Sequence, residues 1–217
     1  MTERRLLETI HGTPWIADLL TLFDFEVARA ADGPIEPVTL ASGEPWEAIA
    51  GDGTGGSFLL VGTGEVRPVL YVGSEGEGGL VARSLRDALT LVVGVSSLHD
   101  ATTIPAERND GRDLNDFLGR TDDEIREYRP ELDADRDRLR SALGLPPVDD
   151  ALLRSLQAAA ADSGYRPLNQ QGDRLRPMLA WLEEAEEAAH PRVPEPPVTA
   201  TPSTHPDEPM PGQIALF

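Results

Sequence analysis

The sequence predicts an α+β fold: a small antiparallel or mixed sheet flanked by helices, followed by an acidic helical region and a disordered, proline-rich tail. Three observations carry this. Two short apolar runs, Ser57–Val61 and residues 66–72, have strand length and are bracketed by glycine-rich turns. Apolar residues at helical spacing precede and follow them. Residues 190–212 hold eight prolines and almost no large apolar side chains, too little to fold on.

Residues 4–31 read as helical. Leu6, Leu7 and Ile10 share one face, and after Gly12-Thr13-Pro14 the pattern resumes with Trp15, Ile16, Leu19, Leu20 and Phe23. Thr13 then serves as a cap and Pro14 as a first-turn proline. A connection over residues 32–45 carries one short strand candidate, 37–40. The glycines from 51 to 56 turn the chain into Ser57–Val61, and Thr63-Gly64-Glu65 closes a hairpin to residues 66–72. Pro68 removes a ladder donor, which marks an edge strand or a bulge. A second glycine-rich turn, SEGEGG, leads into a helix that Ser84 and Asp87 cap, burying Leu85, Ala88, Leu89, Val92 and Val93.

The texture changes after residue 100, which suggests a division into residues 1–100, 101–189 and 190–217. Residues 107–150 hold 14 acidic residues and 8 arginines. Thr121 and Glu124 form a capping box that opens a charged helix running to Leu143, where Gly144 and Pro146-Pro147 stop it. Two more helices are expected, at 149–163 and 172–189, the second with Leu175, Met178, Leu179 and Leu182 on one face.

Composition excludes whole classes of chemistry. The chain has no cysteine, and all 19 of its basic side chains are arginine. Thiolate nucleophiles, cysteine-held zinc, a phosphate-loop lysine and Schiff bases are therefore out. A net charge of −19 disfavours nucleic acid and anionic membrane and suits either a basic partner or a solubilising acidic surface. Without an apolar signal core or a run of spanning length, the expected location is cytoplasmic.

The segment from about residue 15 to 98 resembles the SUKH superfamily, whose bacterial members are commonly immunity proteins of polymorphic toxin systems. The residues that carry the likeness are Trp46, Ile49-Ala50, the glycine turn at 51–56, Ser57–Val61, residues 68–72 and the closing helix at 82–93. The second strand of the family is usually richer in aromatic residues; only Tyr71 stands there in this chain. The resemblance implies a mixed α+β domain that binds a cognate toxin without catalysis, and Trp46 falls on the part it covers. Asp and Glu side chains can take the places of phosphates on a basic toxin face. The turn at Asp52 and the acidic loop with Glu75 and Glu77 are expected on one rim facing the partner, or else they are ordinary hairpin turns.

The last five residues, Gln213-Ile214-Ala215-Leu216-Phe217, are similar to the bacterial sliding-clamp-binding peptide, a glutamine, two variable positions and then Leu-Phe. Gln213 would fill a polar subsite, while Ile214, Leu216 and Phe217 would bind an apolar pocket at the end of an extended arm. The same apolar cluster could instead fold back onto the protein's own surface.

No credible catalytic or metal-binding constellation emerges, and no cofactor is expected. None of the four histidines has a metal-ligand neighbour at helical spacing. His99-Asp100 after Ser96-Ser97 are neighbours in sequence, whereas triads are assembled from separate elements. Asp110, Asp113 and Asp116 could form a carboxylate patch, but Arg112 and Arg120 beside them read as a solvated charge network. The chain is therefore expected to bind, not to catalyse.

Overall fold

The computed structural model describes residues 2–189, which open on two short helices, α1 (Glu3–Gly12) and α2 (Pro14–Thr21). Pro14 begins α2 as its spacing predicts; Thr13 makes no side-chain cap bond. Helix does not continue to residue 31. The backbone turns at Asp24, which adopts a positive φ of 54°, and the Phe25 amide reaches back to the Leu20 carbonyl at 3.1 Å. A short 3-10 turn, Val27–Ala31, follows.

Four strands then form an antiparallel sheet in sequence order: β1 (Trp46–Gly51), β2 (Ser57–Val61), β3 (Val69–Val72) and β4 (Gly78–Ala82). With the helices around it, this is the expected α+β architecture, and its sheet is wholly antiparallel. Two of these strands were not foreseen. β4 lies where the sequence suggests a glycine turn running into a helix. Gly78 and Gly79 are there for close approach instead: a Cβ on Gly78 would stand 3.0 Å from Pro167, and one on Gly79 3.3 Å from the Met178 sulfur.

Of the two readings of Pro68, the edge strand is corrected, while the register between β3 and β4 does shift next to it, between Val69 and Leu70. β3 is an inner strand, and Pro68 lies just before it, where only its carbonyl is used, accepting from the Val61 amide at 2.9 Å. No ladder donor is missed. Of residues 37–40, Thr39 alone pairs, in an isolated bridge with Leu168.

Strand alternation sorts the sheet's two faces. Phe58 and Leu60 of β2 enter the main core, while Leu59 and Val61 enter a second cluster with Val38, Leu40, Leu70 and Val72. The main core also takes α3 (Leu85–Gly94), whose first turn is capped by Ser84 accepting from the Asp87 amide at 3.1 Å, as expected. It runs on through α4 (Arg112–Tyr128), α5 (Leu132–Leu143) and α6 (Asp150–Ala160), so one buried cluster spans Leu6 to Leu156 across residue 100.

Thr121 caps nothing. It sits inside α4, its hydroxyl donating to the Phe117 carbonyl at 3.3 Å. α5 is a separate helix that Gly144 ends in the left-handed conformation, as its position predicts. The last helix, α7 (Ala180–Ala189), starts later than residue 172 because residues 174–176 are held extended: the Leu175 amide bonds Pro167 and the Arg176 amide bonds Gly76. Residues 190–217, including the proline-rich stretch and the terminal Gln213, Ile214, Leu216 and Phe217, lie outside the described residues.

Candidate functional site

Where β1 ends, Asp52 turns inward and is 7% exposed. Its Oδ1 accepts from the Thr54 amide, the Thr54 hydroxyl and the Gly56 amide, each at 2.8 Å. Its Oδ2 accepts from the Tyr71 hydroxyl at 2.6 Å. One carboxylate thus organises the whole loop and ties it to β3. Gly56 makes this possible, since a Cβ there would lie 2.2 Å from the Tyr71 hydroxyl. Burial pushes the Asp52 carboxyl up, but the bonds from Tyr71, Thr54 and Gly56 outweigh it and hold the group below the usual carboxylate range. Burial, together with the Asp52 charge, pushes the Tyr71 phenol well above its ordinary value.

The hairpin between β3 and β4 closes where the Gly73 amide bonds the Glu77 carbonyl at 2.8 Å, with Gly76 at a positive φ of 83°. Glu75 and Glu77 belong to this turn. The loop at 52–56 and the turn at 73–77 open side by side onto a cavity of about 480 Å³. Asp52, Glu75 and Glu77 all line it, so the two acidic turns do share one rim. Its apolar wall includes Phe23, Phe58, Val92, Val95 and Met178, while Ser96, Ser97, His99 and Thr102 form a polar side.

Asp24 joins the rim from the turn after α2. Burial and the nearby Asp52 charge raise its carboxyl above the ordinary value, against a lowering bond from the Gly53 amide. The structure therefore places two neighbouring carboxyls whose proton affinities move apart. Arg176 is the arginine of the lining: its Nη2 donates to the Glu75 carbonyl at 2.8 Å and lies 3.8 Å from Glu77 Oε2. That Glu77 oxygen is buried and accepts no hydrogen bond.

Trp46 stands elsewhere. It begins β1, packs on the second cluster at the opposite end of the strand, and donates its indole N–H to the Val38 carbonyl at 3.2 Å. It is half-buried there, away from the acidic rim. The terminal peptide is not among the described residues.

Compared with protein-family models, with curated proteins and with solved structures, the chain matches none.

The serine, histidine and carboxylate near residue 99 do not assemble. The Ser96 hydroxyl donates to Asp122, and the Ser97 oxygen accepts from the Asp100 amide at 3.1 Å. Asp113 pairs with Arg108 at 2.9 Å, and among the described residues no group of three or more acidic or histidine side chains is arranged to hold a metal. Among the described residues, too, no helix is long and apolar enough to cross a membrane. Among the lining residues that sequence reasoning did not assign to the site are Asp24, Tyr71 and Arg176. Asp24 gave a faint signal, an acidic residue between two buried phenylalanines; Arg176 gave none, being remote in the chain.

Proposed function

We propose that the chain is a cytoplasmic, non-catalytic binding protein that neutralises a basic protein toxin, an immunity protein of SUKH type. The observation that carries the reading is the convergence of Asp52, Glu75 and Glu77 on one cavity rim from two separate turns. The net charge of −19 supports it by favouring encounter with a basic face. So does the four-stranded meander with helices around it, which is the mixed α+β architecture the resemblance implies.

Co-expression with the toxin encoded beside its gene tests the proposal. The expected result is restored growth and a tight complex of the two purified proteins. Charge reversal of Glu75 and Glu77 together is expected to weaken that complex about tenfold or more. Growth arrest that persists with the chain present would sink the reading. The Gln213–Phe217 peptide supports a second reading, an adaptor tethered to the sliding clamp. Loss of clamp binding on removing those five residues alone would favour it.

A further inference from the structure

We infer that the cavity between the 52–56 loop and the 73–77 turn is a socket for one arginine side chain of the partner protein, its guanidinium set among Asp24, Asp52 and Glu77. The partner is the basic toxin proposed above, and the socket rests on that reading.

Charge comes first. Asp24, Asp52, Glu75 and Glu77 line one cavity with Arg176 as its arginine. Asp52 spends its oxygens on its own loop and on Tyr71, so its charge is fixed in place without an ion pair among the described residues. Asp24 is exposed beside it and has no cationic partner among the described residues. Glu77 Oε2 is buried with no hydrogen-bond donor, and Arg176 approaches it only to 3.8 Å. An incoming guanidinium supplies several donors in a rigid plane, which suits acceptors on different turns better than the point charge of an ammonium.

The walls agree with that shape. Phe58, Tyr71, Val92 and Met178 line the space with apolar surface on which the stem of an arginine can lie, while the Phe23 ring already carries the Arg129 guanidinium 4.4 Å from its centroid. At about 480 Å³ the space has ordinary ligand-pocket size. Ile35 distinguishes a protein-borne arginine from a free small cation. It is 68% exposed, and its Cδ1 stands 3.0 Å from where a Gly55 Cβ would lie, with Ser74 on the same spot. An exposed isoleucine beside a charged cavity offers the apolar contact that a protein surface would cover.

The test is an amide NMR titration of the full chain with Nα-acetyl-arginine amide, its citrulline analogue and its lysine analogue. The arginine compound is expected to shift the Gly53, Thr54 and Gly56 amides saturably. The uncharged citrulline compound, and the Asp24→Asn variant with arginine, should each respond about tenfold more weakly. Asp116→Asn, an exposed change on α4, should leave the response intact. Equal responses to arginine and citrulline, a stronger response to lysine, or shifts spread over α4 and α5 would overturn the socket. Protection against the toxin without any arginine response would do so too, while leaving the immunity reading standing. An arginine response without protection would overturn the immunity reading instead.

Discussion

The Tyr71 hydroxyl donates to Asp52 Oδ2 at 2.6 Å, joining the third strand to the loop that leaves the first. The acceptor is a charged, buried carboxylate, so Tyr71→Phe is expected to cost about 1.5–3 kcal/mol in urea unfolding at neutral pH. Asp52 is held below its ordinary pKa in the fold. Its contribution is therefore present above the unfolded value, near ~3.9, and is lost as pH falls through the lower folded value. The gap between wild type and variant should narrow below about pH 4. A gap constant from neutral to strongly acid pH would uncouple the hydroxyl from the carboxylate.

Asp24 behaves in the opposite sense. Burial and the Asp52 charge raise its folded pKa, so the stability linked to this group is complete below the unfolded value and lost as pH rises through the folded one. Asp24→Asn should stabilise the protein at pH 7 and have no effect well below pH 4. Asparagine also tolerates the positive φ of 54° found there. The carboxyl is only partly buried on an exposed residue, so the gain should be about 0.5 kcal/mol or less. Melting curves at the two pH values check it; a loss of stability at pH 7 would mean that the Gly53 amide bond outweighs the repulsion.

Gly56→Ala should open the loop. The added Cβ would stand 2.2 Å from the Tyr71 hydroxyl and 2.6 Å from Asp52 Oδ2, so both must shift. A cost of about 2 kcal/mol or more follows from overpacking plus the lost hydrogen bond. Chemical denaturation of the single variant measures it, and a change under about 0.5 kcal/mol would show that the loop yields freely.

Arg136 joins α5 to the end of α3. Its side chain is 5% exposed and bonds the Val93 carbonyl at 3.1 Å, Ser96 at 3.0 Å and Asp122 at 2.6 and 2.9 Å. Burial raises the Asp122 carboxyl, but the bonds from Arg136 and Ser96 prevail and lower it. Arg136→Leu removes the two-bond partner of Asp122 and leaves it only Arg126 as a cation, at 3.8 Å, which should cost about 3 kcal/mol. Adding Asp122→Leu should recover part of the loss; a double variant no more stable than the single would place the cost in the Val93 carbonyl instead.

Much of this was legible from the chain alone. Ser84 capped its helix and Gly144 ended one, because both act within a turn of their own position. Thr121 misled because a capping box is defined by sequence spacing, whereas α4 already passes through it. Gly78 and Gly79 misled because a glycine needed for close approach looks like one needed for a turn.

The amino-acid sequence by itself determined the α+β class, the two inner strands, the negative balance and the exclusion of thiol and lysine chemistry, all of which depend on composition or on neighbours along the chain. Only the tertiary structure decided that Asp24, Asp52, Glu77 and Arg176 meet at one cavity, that Trp46 lies away from it, and that the glycines at 78 and 79 form a strand. Those outcomes depend on contacts between residues up to about a hundred positions apart, such as Arg176 with Glu75. Packing of the assembled sheet and helices sets such contacts, and no local pattern encodes them.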